Sequence, residues 1–413
     1  MALSRRGVLA LGACFGVGAT VGARFGLPSA LGPGEPREVR GRARELVDEA
    51  FEGLDRSRMW DAHVHLTGLG TGGTGCWVNP EMHSLTSPWR HFKFDVYRHA
   101  AGITDLSRAD QQYVERLLAL HRLANPAGKL ISYGFDYFVD ESGAERPARS
   151  EFFVPNEYVF SLAKLHPEIL PCASIHPYRA DAVERLNRAA VAGAVAIKWL
   201  PNAMGMDPAS QRCDAFYDRL VALGLPLISH AGHELAVHSP DAQELGNPLR
   251  LRRGLERGVR VVVAHAASLG VVEDLDAPER LKVRAFDAFM RLFNDKKYEK
   301  LLFADISALT QFHRLPTPLR ELLIAKGLHS RLLNGSDYPL PAIDPIISTR
   351  MLQKHGLISA EDRPALNEIY AHNPLLFDFV VKRRVAVEYK DQTHRFSPSV
   401  FETAAFFQRV APS

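Results

Sequence analysis

Between residues 60 and 337 the chain alternates eight apolar, strand-like runs with amphipathic, helix-like ones, and few architectures accommodate that alternation. The strand-like runs cover residues 60–66, 129–139, 169–176, 194–200, 226–230, 259–265, 300–306 and 332–337. Apolar residues at helical spacing fill the intervals at 106–125, 156–166, 180–192, 213–223, 249–257, 280–293 and 319–326. Val261, Val262, Val263 and Ala264 are apolar at consecutive positions, which suits a strand covered on both faces, as a parallel sheet requires. Eight such units predict an α/β fold, a (β/α)8 TIM barrel with helices around a closed parallel sheet.

The sequence around that barrel divides into further segments. Residues 1–30 hold Ser4-Arg5-Arg6-Gly7-Val8-Leu9, then a glycine-rich apolar run without charge up to Arg24. That is the pattern of a twin-arginine export signal and predicts a periplasmic or extracellular protein. The alternative is an uncleaved membrane anchor, for which the run falls short of the ~20 residues that a span needs. Residues 31–58 are expected to form a linker and an amphipathic lead-in helix, residues 59–377 the barrel, and residues 378–413 a C-terminal extension. Within the extension, Lys382-Arg383-Arg384 is expected on a solvated face.

A long insertion follows the first strand. It starts in the glycine-rich residues 68–75 and continues through Cys76, Trp77, Trp89, Phe92 and Phe94 to about residue 105. No Gly-Lys-Ser/Thr follows the glycines, so this is not a phosphate loop. Its length and aromatic content suit a lid over a site better than a plain turn.

Composition excludes several function classes. The 413 residues are 46% hydrophobic and 23% charged, ordinary values for a soluble globular protein. A net charge of +3, with basic residues scattered, is too weak to argue for nucleic acid. Four widely spaced cysteines supply neither a disulfide framework nor a Cys-x-x-Cys metal knuckle.

The chemistry-bearing residues cluster at the ends of the strand-like runs. Trp60-Asp61-Ala62-His63-Val64-His65-Leu66 sets two imidazoles one residue apart. Alternate residues of a strand share a face, so His63 and His65 project together while Val64 packs behind them. His230, His265 and Asp337 each stand where a later strand runs into a loop, and Lys198 lies in the fourth strand. Imidazole and carboxylate are donors that divalent metals select. In a (β/α)8 barrel the chemistry sits at the C-terminal ends of the strands, where all of these residues fall. His176, Trp199, His233 and Tyr338 stand near the same ends as candidates for contacting substrate, along with Asn202, Glu234, His238 and Ser268. Asp305, ending the seventh strand, reads as a structural acceptor.

Asp61-Ala62-His63-Val64-His65, Ile197-Lys198, Ser229-His230-Ala231-Gly232, Ala264-His265 and Gly335-Ser336-Asp337-Tyr338-Pro339 together resemble the amidohydrolase superfamily. The resemblance is to its amidohydrolase-related branch of metal-dependent TIM-barrel hydrolases, which also holds decarboxylases and lactonases. Asn373-Pro374-Leu375-Leu376-Phe377 is similar to the start of that branch's closing helix. The resemblance implies that His63, His65, His230 and Asp337 hold a divalent metal, zinc by expectation. It also implies that Asp337 serves as general base and then general acid, and that His265 polarises the substrate carbonyl or binds a second metal. Two ions would require Lys198 to be carboxylated, because an ammonium repels metal; with one ion, Lys198 is left to bind a substrate carboxylate. The implied activity is hydrolysis of an amide, ester or lactone of a small organic substrate by metal-activated water. The alternative is non-oxidative decarboxylation of a small carboxylic acid. The expected partner is a small molecule, with neither nucleic acid nor, once the leader is removed, a membrane; assembly into a homo-oligomer stays open.

Overall fold

The computed structural model describes residues 34–237, 241–344 and 346–408. The expected export signal and His238 lie outside these residues. Eight parallel strands follow one another around a single sheet in chain order: β1 (Trp60–His65), β2 (Lys129–Tyr133), β3 (Ile169–Ser174), β4 (Ala196–Trp199), β5 (Leu227–His230), β6 (Val261–Ala264), β7 (Leu302–Asp305) and β8 (Leu332–Leu333). Each crossover thus moves to the adjacent position, as right-handed β/α units dictate. The first and last strands meet through backbone hydrogen bonds from Ala62 N to Asn334 O (3.0 Å), Asp337 N to His63 O (2.8 Å) and His65 N to Tyr338 O (3.0 Å). The sheet therefore closes into a barrel.

Side-chain alternation separates two apolar layers. Ala62, Ile131, Cys172, Ala196, Ile228, Val262 and Leu333 point inward and are capped by Phe407 near the chain's end. Val64, Leu130, Ala173, Ile197, Leu227, Val261 and Val263 point outward into the layer shared with the helices. In β1 the pairing with β2 slips between Asp61 and Val64, a bulge that breaks strict alternation. Ala62 consequently points inward although Val64, two residues later, packs outward.

Several local expectations shift. The lead-in helix is confined to Gly41–Phe51, and its Ala43, Leu46, Val47, Ala50 and Phe51 are buried. Its Phe51 ring meets Phe379 of helix Pro374–Arg384 at 4.6 Å. The second strand ends at Tyr133 rather than Val139, because Phe135 turns out of the barrel to bridge Val154. Residues 282–284, expected to open a helix, form an antiparallel ribbon with Val271–Glu273, and the helix is Ala285–Phe293. The insertion after β1 contains helix Pro88–Ala100, and its short strand Trp77–Val78 pairs with Phe152–Phe153. Asp110 ties down the glycine-rich start of this insertion, accepting hydrogen bonds from Leu69 N (2.6 Å), Gly70 N (3.2 Å) and Thr71 Oγ1 (3.0 Å). The three described cysteines, Cys76, Cys172 and Cys213, are free and buried. No helix among the described residues is long and apolar enough to cross a membrane.

The basic run near the C-terminus needs correction. Lys382 is not on a solvated face: it is buried, donating to Asp378 Oδ2 (2.5 Å) and to Gly335 O (2.6 Å), next to the barrel seam. Which member of a basic run faces inward is not encoded locally, because one of the two partners that receive Lys382 is a carbonyl of a distant loop. Burial pushes the Asp378 carboxyl up to about 7, with Lys382 opposing. Replacing Lys382 with Ala leaves that carboxyl unpaired and should destabilise the fold by about 3–5 kcal/mol. The Lys382→Met, Asp378→Leu pair should lose far less, and chemical denaturation of both variants measures the difference.

Candidate functional site

The seam places the histidines of β1 against the loop that leaves β8. Asp61 stitches the two together, its Oδ1 accepting from His63 N (3.1 Å) and Ser336 N (2.8 Å). Gly335 is required here by close approach, since a Cβ at this position would lie 2.6 Å from the Cβ of His63. The chain then turns sharply, with Asp337 in left-handed backbone at φ +62°. His265 leaves β6 in the same way at φ +54°. Left-handed conformations at non-glycine residues carry a steric cost and gather at functional sites.

One cavity of about 220 Å³ is lined by His63, His65, Lys198, His230, His265 and Asp337. The structure thus brings all six predicted residues to one place. Ligand atoms of His63, His265 and Asp337 lie within 4.8 Å of one another. His65 joins them: its Nε2 is 3.1 Å from His63 Nε2 and 3.4 Å from Asp337 Oδ1. His63 Nε2 is likewise 3.4 Å from Asp337 Oδ1. His230 stands slightly apart, its ring 5.5 Å from that of His265, and its buried Nε2 has no hydrogen-bond partner among the described residues. The tightest group therefore contains His265 where the resemblance implied His230.

Burial sets the charge states. It pushes His63, His230 and His265 well below the usual imidazole range, assisted by the Lys198 ammonium at His63 and His230 and by Arg314 at His265. Neutral imidazoles keep a lone pair for a metal. Burial raises the Asp337 carboxyl, opposed by His65, Arg314 and Lys198. The Lys198 ammonium is lowered by burial, with Asp305 and Asp337 opposing, and it lies 5.0 Å from the ring centre of Tyr133.

A second ring of contacts orients the first. Asp305 Oδ2 holds His63 Nδ1 at 2.9 Å, while its Oδ1 accepts from the backbone N–H groups of His265 (2.9 Å) and Ser307 (3.0 Å) and from the Ser307 hydroxyl. The Ser307 hydroxyl in turn meets His265 Nδ1 at 2.7 Å. The Nδ1 atoms of His63 and His265 are thus occupied, leaving their Nε2 atoms free of this support. Glu234 Oε2 lies 3.4 Å from His230 Nδ1.

Four of the residues proposed to touch substrate fall elsewhere, whereas Glu234 lines the cavity. His176 is buried with both ring nitrogens satisfied, Nε2 by Met204 O (3.0 Å) and Nδ1 by Tyr178 N (3.1 Å). Trp199 points into the helix layer, its indole donating to Ile175 O and its ring beside Phe216 and Tyr217. The His233 Nε2 bonds Val271 O at 2.9 Å, and Tyr338 is enclosed with its ring 6.0 Å from Tyr113. None of the four lines the cavity. Near a strand end, neighbouring residues face opposite ways, so nearness along the chain misleads. Conversely, Arg314 lines the cavity and was not singled out, for it sits in a loop beyond β7 without any motif.

The donor set fits a divalent ion: convergent imidazoles, a carboxylate beside them, an unpartnered His230 Nε2, and carboxylate support behind His63 of the kind that orients metal-binding histidines. A family model for amidohydrolases matches residues 60–366, most of the chain. The chain belongs to the amidohydrolase family. Members of this family are typically metal-dependent enzymes. Among solved structures, the amidohydrolase is similar to an uncharacterised TIM-barrel protein from Bordetella bronchiseptica, with 18% identity over 77% of this chain and 98% of that one and a TM-score of 0.44. It is also similar to a probable 2-pyrone-4,6-dicarboxylic acid hydrolase from Acinetobacter baumannii, with 15% identity, 78% and 95% coverage and a TM-score of 0.39. A third such structure is 5-carboxyvanillate decarboxylase from Sphingomonas paucimobilis, with 14% identity, 75% and 95% coverage and a TM-score of 0.43. No curated protein matches the sequence.

Asp305 tests whether the supporting ring tunes this centre. Asp305→Ala should lower zinc affinity by roughly 10–100-fold in a competitive chelator titration, with the circular dichroism spectrum unchanged. Unaltered affinity would show that the carboxylate serves the fold alone.

Proposed function

We propose that this amidohydrolase is a metal-dependent hydrolase acting on an amide, ester or lactone of a small organic substrate. The observation that carries this reading is the convergence of His63, His65, His265 and Asp337 in one cavity, with Asp337 in contact with both histidines of β1. His63, His65, His230 and Asp337 would hold the ion, zinc by expectation, and His265 stands close enough to serve either a second ion or a substrate oxygen. When bound, the ion supplies Lewis acidity and lowers the pKa of water toward neutrality. Asp337, ionised, takes a proton from the attacking water and returns it to the leaving group, acting as base and then acid. The Lys198 and Arg314 cations, in the same cavity, favour negative charge developing on the substrate. With two ions, Lys198 would serve as a carbamate ligand; with one, it remains a cation.

The second reading, non-oxidative decarboxylation, draws support from the same two cations, which suit a carboxylate. Asp337 or His265 would then deliver the proton that replaces carbon dioxide. We further propose that residues 1–30 export the enzyme by the twin-arginine route.

Asp337→Asn and His63→Ala should each lower turnover by at least about 100-fold while the barrel stays folded, as loss of a proton-transfer group or a ligand requires. Wild-type rates in either variant would reject the assignment. Product analysis separates the two chemistries: incorporation of oxygen from labelled water marks hydrolysis, whereas carbon dioxide release without it marks decarboxylation.

A further inference from the structure

The cavity that holds the His63 and Asp337 cluster is polar at its buried end and apolar toward solvent. His63, Lys198, His230, His265 and Asp337 are buried at its base. Its polar atoms without a hydrogen-bond partner among the described residues lie with them: His230 Nε2, and Gln311 Nε2, His313 Nδ1 and Arg314 Nε of the loop after β7. Arg314 is close enough to act on the charges of His230, His265 and Asp337.

The rest of the wall has another character. Val78, Phe92, Phe94 and Ile103 of the insertion after β1 line it, and Val237 and Ile343 continue it from the loops after β5 and β8. Arg98, Glu151 and Tyr97 interrupt this wall, yet each is already met: Arg98 by Asp95 at 3.0 Å, Glu151 by Lys93 at 2.8 Å, and the Tyr97 hydroxyl by the carbonyl of Ala236 at 3.1 Å. Exposed Asp344, on the same wall, repels an anion rather than inviting one. The apolar surface also runs out to solvent. Leu106 and Leu235 line the cavity although they are 44% and 42% exposed, and Trp89, 46% exposed, stacks on Phe92 with ring centres 5.9 Å apart. Single exposed leucines are commonplace, but apolar side chains that border a cavity mark surface for a ligand to cover.

Polarity thus falls from the base to the rim, and that gradient selects a ligand. A compact polyanion would satisfy the base and leave the apolar wall in water. A molecule with one polar end and a hydrocarbon body covers both, each methylene taken from water contributing to its binding.

We propose that the substrate is an amphiphile: an uncharged ester, amide or lactone whose reacting bond lies at the base and whose hydrocarbon chain follows the insertion to the rim at Leu106 and Leu235. This rests on the reading of the cavity as a hydrolytic site and adds a substrate class to it. Water adds to the carbonyl carbon and the bond to the leaving oxygen or nitrogen breaks. The proton taken by Asp337 goes to that leaving atom, giving a carboxylic acid and an alcohol or amine, while the chain takes no part.

Calorimetric titration of the chelator-treated full chain with 1-butanol, 1-hexanol, 1-octanol and 1-decanol tests the chain site apart from any reaction. Affinity should rise about three- to fourfold per added methylene, the scale of burying one such group. With zinc-loaded protein, kcat/KM for p-nitrophenyl esters should climb in the same way from acetate to octanoate. The mono-p-nitrophenyl ester of adipic acid, which sets a carboxylate against the apolar wall, should be hydrolysed at least about tenfold less efficiently than the hexanoate ester. Leu106→Asp combined with Leu235→Asp should flatten the gain between octanol and decanol. Affinity that ignores chain length would overturn the proposal. So would equal or better hydrolysis of the adipate ester, or an octanol-to-decanol gain unchanged by the two rim substitutions. Length-dependent binding without turnover of any ester, amide or lactone would refute the proposed activity and leave the chain site standing. Turnover without length dependence would do the reverse.

Discussion

The site depends on how the barrel closes. A sheet of parallel strands becomes a barrel only when its first and last members find each other, and here the hydrogen bonds of the seam lie within the candidate centre itself. Asp337 N binds His63 O, His65 N binds Tyr338 O, and Asp61 spans the gap to Ser336. The contact is tight enough that position 335 has room for no side chain, because a Cβ would reach the Cβ of His63. Stability and chemistry therefore share one set of atoms, and buried Lys382 secures the same seam from behind through Gly335 O. A change that loosens the closure also separates the carboxylate from the imidazoles.

Burial without neutralisation is the second constraint. Few donors in this cavity are satisfied by one another, and those that are satisfied are held from the rear. Asp305 illustrates the division of labour: one carboxylate grips His63 Nδ1, the backbone at His265 and the hydroxyl of Ser307, so two rings from β1 and β6 are oriented together. The low polarity that keeps the histidines neutral also raises the Asp337 carboxyl, placing a proton acceptor and metal-type donors in one environment. The positive charge of Lys198 and Arg314 balances these acids across the cavity rather than through direct pairs.

The insertion after β1 and the loop after β7 complete the enclosure. Asp110 anchors the first through its glycine-rich start, and the buried Lys93 and Glu151 pair joins its helix to the segment beyond β2. The walls facing the metal-type donors thus come from segments outside the regular β/α repeat. Substrate preference in this fold is expected to reside there, since the barrel supplies the reacting groups and the loops supply the shape.

Much of this was legible from residues alone. Eight apolar runs of strand length separated by helical periodicities leave little choice but a barrel, and the barrel rule then gathers His63, His65, Lys198, His230, His265 and Asp337 at one mouth, since strand ends are defined by local pattern. What local pattern does not encode is direction and partner. The bulge in β1 lets Ala62 face the interior beside the two histidines, a detail of pairing with β2. His176 and Trp199 stand at strand ends yet turn away from the mouth, Lys382 looks solvated yet is buried, and Arg314 belongs to no motif yet lines the cavity. Periodicity is a property of a few neighbouring residues and survives in the unfolded sequence, so sequence alone determined the architecture and the main donors. Which atoms end up satisfied depends on groups brought together from distant segments, and only the closed tertiary structure decided that.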